Sequence, residues 1–138
     1  MTSAQETYEA IAYASPESLK RLADRCLQEA GAKVTSAPQA ALVMARTRET
    51  VDNEVFNLGE VLVTSCEVDL DGEPGWGMVP GHDPERALCA AIVDAASRRE
   101  GAEELRAELA MSLESTREAR RERWAGVQST RVEFEEMA

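Results

Sequence analysis

The chain has 138 residues, of which 15 are Lys or Arg and 26 are Asp or Glu, a net charge of −11. That length fits one hydrophobic core without disulfide or metal, and the charge repels phosphate backbones and anionic bilayers, so neither nucleic acid nor membrane is an expected partner. No apolar run approaches the roughly 20 residues of a membrane span, and residues 1–6 lack the basic and apolar regions of an export signal, so a cytoplasmic location is expected.

Residues 4–14 have moderate helical character, and Ser15-Pro16-Glu17-Ser18 is a strong helix start. Serine caps exposed amides, proline suits the first helical position, and glutamate favours the positive end of the dipole. Leu19, Leu22, Ala23, Cys26, Leu27 and Ala30 then recur on one helical face, and Gly31 supplies a stop. Residues 32–36 read as a short strand, Pro38 interrupts, and residues 40–47 read as a second extended run whose Ala, Leu and Met also fit a helix. Residues 48–55 are a polar connection.

A long strand follows, beginning at Phe56 or Leu58 and ending at Leu70. Leu58, Leu62, Cys66, Val68 and Leu70 alternate onto one side, with Glu60 and Thr64 among them; Val61, Val63, Ser65, Glu67 and Asp69 face the other way. Asp71-Gly72 is a hairpin turn, so residues 75–79 pair antiparallel with the preceding strand. Gly75 and Gly77 permit close approach of another backbone or a partner. Trp76 has two readings, packing within the domain or anchoring an interface. Asp83 and Pro84 start the next helix, with Ala87, Leu88, Ala91, Ile92 and Ala95 as its buried stripe. Gly101 breaks it, and residues 102–124 form a long charged helix whose thin seam of Leu105, Leu109 and Leu113 suits a surface or a neighbouring subunit better than a deep core.

Between Glu49 and Glu85 there are ten acidic residues and no Lys or Arg, which makes a phosphate site in that segment implausible. It reads as a solvated face or as a surface complementary to a basic partner. Arg117, Arg120, Arg121 and Arg123 are the exception, with Trp124 beside them and Arg131 further on. Salt bridges to Glu114, Glu118 and Glu122 along the helix, docking of a subunit, and contact with an anionic ligand are all open readings. Cys26, Cys66 and Cys89 sit among apolar neighbours with no C-x-x-C pair, and the single histidine, His82, is adjacent to Asp83. That set has no zinc-ligand spacing, and no P-loop, dinucleotide fingerprint or nucleophile elbow occurs. No catalytic, cofactor or metal residue is assigned.

The order from Gly59 through the glycine-rich return at 75–81, Asp83 and the alanine-rich helix to Ala95, together with Arg131-Val132-Glu133-Phe134, resembles the G subunit of the bacterial carbon-phosphorus lyase core complex, the phosphonate metabolism protein PhnG family. Glu135 and the end at Ala138 depart from the expected tail. The resemblance implies a partner of the H, I and J subunits in a complex that displaces adenine from ATP and places an alkylphosphonate on C1 of the ribose; the exposed charge and thin apolar seam of the C-terminal helix point to direct contact with I through that helix and residues 131–137. It also implies that ATP with Mg enters through the complex, that metal and SAM/iron-sulfur chemistry lies on other subunits, and that this chain binds no cofactor itself.

The expectation is therefore one α+β domain over residues 1–138, a small antiparallel sheet of three to four strands covered by helices, with a long charged helix and tail at 102–138 projecting onto a partner. Trp76, Arg117, Arg120, Arg121, Arg123, Trp124, Arg131 and Phe134 are the candidate interface. Two rival readings are a homo-oligomeric binding module unrelated to phosphonates and a small enzyme using His82 with nearby carboxylates.

Overall fold

Seven elements follow one another along the chain: α1 (Ala4–Tyr13), α2 (Pro16–Glu29), β1 (Ala32–Arg48), β2 (Val55–Leu70), β3 (Glu73–Pro80), α3 (Pro84–Ser97) and α4 (Glu103–Met137). They come from a computed structural model that describes residues 4–48 and 51–137, with side chains described through residue 126. The architecture is α+β, a three-stranded antiparallel sheet in the order β1-β2-β3 with helices against it.

Local chemistry sets the helix starts. The Ser15 hydroxyl accepts from the Ser18 N–H at 3.2 Å and the Asp83 carboxylate accepts from the Arg86 N–H at 3.2 Å, each with proline at the start of the helix. Helix α2 ends at Ala30, whose backbone turns extended (φ −150°, ψ 146°), so Gly31 is not needed as a left-handed stop. Leu27, expected on the buried face of α2, is exposed.

Pro38 does not divide the first extended segment. Strand β1 runs through it because β1 is an edge strand, where a missing N–H costs no ladder bond on the open side, and the register shifts between Ser36 and Gln39 absorb the ring. Three strands result among the described residues, within the three to four expected. The β2–β3 turn closes through Asp71 (φ 48°) and Gly72 (φ 94°), with Asp69 Oδ1 accepting from the Gly72 N–H at 2.6 Å.

Helix α3 is the centre of the molecule, packed on β2 and β3 to one side and against α2 and α1 on others. Its burial is not a stripe: Ala87 and every residue from Cys89 to Ser97 are buried, whereas Leu88 is only partly so. Small side chains make this possible. A Cβ on Gly77 would lie 2.5 Å from the Ala87 carbonyl oxygen and 2.6 Å from the Ala91 nitrogen, and one on Gly75 would lie 2.6 Å from the Ala95 Cβ. The close approach that the glycines permit is thus made by the chain's own helix. Thr64, Cys66, Val68 and Leu70 of β2 and Val79 of β3 complete the interior.

The Leu105, Leu109 and Leu113 seam is buried and belongs to the same core, so the first turns of α4 close the domain over α1 and α3, whereas residues 118–126 are exposed on every side. The helix does not stop at 124. No proline interrupts residues 103–137, and α4 continues for 35 residues, about 52 Å, through the segment expected as a tail.

The sheet is uneven in length. β3 pairs with β2 only from Leu70 back to Val63, whereas β1 continues beside β2 to the Arg48/Val55 pair. Residues 55–62 and their β1 partners therefore form a two-stranded ribbon that overhangs the helices. Leu58 is an extra residue between the Ala45/Gly59 and Arg46/Asn57 pairs, a bulge made feasible by Gly59 at φ 138°.

Candidate partner interface

At the β3 edge, the backbone N–H of Trp76 donates to Asp94 Oδ2 at 2.9 Å. Asp94 lies on α3 and is 2% exposed; Arg98, one turn on, donates to its Oδ2 at 3.0 Å. Arg98 also donates to the Pro74 carbonyl and, at 3.4 Å, to the Tyr8 hydroxyl, and pairs with Glu73 at 3.4 Å. Burial pushes the Asp94 carboxyl above its usual range, opposed by the Trp76 N–H and the Arg98 charge. One guanidinium thus joins β3, α3 and α1. A groove of about 990 Å³ opens beside it, lined by Thr7, Tyr8, Asp94, Arg98 and Arg106 among others. Its two arginines already have protein acceptors, since Arg106 donates to the Ser97 carbonyl at 2.8 Å, so the groove is a structural junction.

Trp76 is 39% exposed; its ring meets Tyr8 edge-on at 6.2 Å between centroids, with the side chain outside the core cluster. The arginines of α4 divide. Arg117 pairs with Glu9 at 2.8 Å and Glu6 at 4.0 Å, and Arg120 stacks over the Tyr13 ring at 4.8 Å while donating to its hydroxyl at 2.7 Å. Both bind α1 to α4, partners too distant in sequence for spacing to reveal. Arg121 pairs with Glu114 at 3.1 Å along the helix. Arg123 and Trp124 lie together with Arg120 and Arg121 around a shallow depression, and Trp124 is 60% exposed. The side chains of Arg131 and Phe134 lie outside the described residues. Trp76 is therefore not brought together with the α4 arginines; its neighbours are Tyr8 and the Asp94–Arg98 pair.

His82 is exposed in the turn before α3, and its neighbour Asp83 is occupied as the helix cap. Cys66 and Cys89 are buried free thiols whose pKa is raised by that burial, and Cys26 is raised for the same reason, which disfavours a thiolate nucleophile. Among the described residues no cluster of three or more His, Cys, Asp or Glu is placed to hold a metal ion, and no helix is long and apolar enough to cross a membrane.

Sequence reasoning missed two features. Asp94 has a visible signal, an acid inside the run Ala91-Ile92-Val93-Asp94-Ala95-Ala96, which has to find partners once buried. The ribbon has one too: Ala40-Ala41-Leu42-Val43-Met44-Ala45 and Val61-Leu62-Val63 do not alternate with polar residues, the pattern of strands covered on both faces. Yet Leu42 is 63% exposed and Leu58 66%.

The fold and these surfaces define an α+β protein that leaves a ribbon and a long charged helix uncovered and engages its buried ionisable groups internally. The chain belongs to the family described as phosphonate metabolism protein PhnG, whose model matches residues 3–138. It is also 37% identical over 102 residues to the alpha-D-ribose 1-methylphosphonate 5-triphosphate synthase subunit PhnG of Rhizobium meliloti (strain 1021), a match covering 70% of this chain and 64% of that relative.

Proposed function

We propose that this chain is a noncatalytic assembly subunit of the carbon-phosphorus lyase core complex. It supports the transfer of an alkylphosphonate to the ribose C1 of ATP with release of adenine. The observation that carries this reading is the family match over residues 3–138, to which the relative's name adds the word subunit. The uncovered ribbon and the exposed Trp124 of α4 support it, because both are surfaces suited to protein contact. The partners are the H, I and J subunits in the cytoplasm, with I contacted by the C-terminal part of α4 through Arg123, Trp124, Arg131 and Phe134. ATP and Mg enter through the complex, and metal and SAM/iron-sulfur chemistry is assigned to other subunits.

Co-expression with the H, I and J subunits tests this. Wild-type chain is expected to copurify with them and to be required for adenine release from ATP in the presence of alkylphosphonate. Deleting residues 125–138 should weaken capture of I while the domain stays folded, since Leu113 is the last buried residue of α4 among the described residues. Failure of the wild-type chain to copurify overturns the reading, and full capture by the truncated chain overturns the placement on α4.

A further inference from the structure

Among the described residues nothing covers the β1–β2 ribbon on either face. Cross-strand pairs share a face, so Leu42 with Leu62 and Met44 with Glu60 lie on the face that continues the core side of the sheet, and Val43 with Val61 lie on the other. All eight β2 residues from Val55 to Leu62 are exposed. An antiparallel ribbon that faces water alternates apolar with polar, and an isolated two-stranded hairpin is marginally stable in water. This ribbon instead carries apolar side chains on both faces with Glu60 as the sole charge between Leu58 and Cys66. Beyond the Leu62 carbonyl, which accepts from the Gly81 N–H at 2.8 Å, the outer edge of β2 has no strand neighbour among the described residues, which leaves backbone groups open to a further strand.

Size and charge indicate the occupant. Eight residues at about 3.3 Å each, two strands wide, give on the order of 500 Å² over the two faces, well over half of the about 800 Å² that one partner brings to a standard interface. The chain's net charge of −11 opposes a second copy at long range. The ribbon and its loop carry Asp52, Glu54 and Glu60 against Arg46 and Arg48 at the loop end of β1. We infer that the ribbon is inserted into an apolar groove on a different protein subunit, which covers both faces and pairs with the free edge of β2. This rests on the assembly reading above and gives it a principal contact separate from α4.

The test uses full-length chain carrying Leu42→Glu on one face or Val61→Glu on the other, co-expressed with the H, I and J subunits. Both positions are exposed, so the variants should match wild type in circular dichroism and thermal midpoint while recovery with the partner subunits falls at least tenfold. Wild-type recovery of both variants overturns the ribbon contact; absence of wild-type copurification instead overturns the assembly reading. Concentration-dependent dimers of the wild-type chain alone, lost in the variants, would assign the ribbon to a second copy and overturn the inference. Should the variants misfold, hydrogen exchange on wild type decides: amides of residues 40–45 and 58–63 should exchange at least tenfold more slowly in the complex than in the free chain, and unchanged rates overturn the inference.

Discussion

The Trp76 backbone N–H and the Asp94 carboxylate, 2.9 Å apart, close the outer edge of β3 with a side chain from the central helix. One N–H of the strand edge next to α3 is thereby satisfied without another strand. Asp94→Ala leaves that N–H unpaired and Arg98 without its main partner, and should destabilise the domain by about 2–3 kcal/mol in urea unfolding. A loss below about 0.5 kcal/mol would show that water replaces the carboxylate.

The same carboxylate gives a pH signature. Burial raises its pKa above the ordinary 3.8, so in the interval above that value the folded chain retains a proton that the unfolded chain has released. Its contribution to stability is complete below 3.8 and is lost as pH rises through the folded value. The stability difference between wild type and Asp94→Asn should therefore move against wild type as pH rises from about 3.8 toward neutrality. A difference that moves in favour of wild type over that range contradicts the raised pKa.

Gly77 faces the α3 backbone so closely that Gly77→Ala has to displace the helix. Overpacking of this kind costs typically about 1–3 kcal/mol, and the upper end is expected because the clash is with backbone atoms. Thermal unfolding of Gly77→Ala beside Gly72→Ala separates the causes, since a Cβ at Gly72 meets nothing within 4 Å and carries only the strain of its positive φ.

Thr64 shows a similar economy with one hydroxyl. It donates to the Gly81 carbonyl at 2.6 Å and accepts from the Asp83 N–H at 3.0 Å, fixing the turn that leads into α3. Thr64→Val keeps the shape and removes both bonds, for an expected loss of about 1–3 kcal/mol. Amide exchange should accelerate first at residues 81–86; uniform acceleration across the domain would argue against a local role.

Much of this fold is legible in the sequence because its signals are local. Ser15-Pro16 and Asp83-Pro84 mark helix starts through caps that act within three residues, and Asp71-Gly72 marks a turn by the same logic. What stayed hidden depends on distance. Pro38 reads as a break until β1 is known to be an edge, and α3 reads as half-buried until α1 and α2 are placed on it. Of the candidate interface, composition located the α4 arginines, but Arg117 and Arg120 find Glu9 and Tyr13 more than a hundred residues earlier.

Arg117 illustrates a contact whose removal should do little globally. Its pair with Glu9 is exposed enough to be screened by solvent, and such surface pairs add little to stability. Arg117→Ala should leave the unfolding midpoint nearly unchanged while amide exchange in α1 quickens. A large drop in midpoint would make the α1–α4 contact a main support of the domain.

The central position of α3 has a consequence for the order in which the chain folds. Ala10 and Ile11 of α1 and Leu19 and Leu22 of α2 share a core with residues of α3 that are synthesised 65 to 86 residues later. On the ribosome, the first two helices therefore emerge without the surface that holds them, while β2, β3 and α3 are consecutive in sequence and collapse on one another through short loops. The nascent N-terminal third waits for the alanine-rich helix, and folding closes backward along the chain.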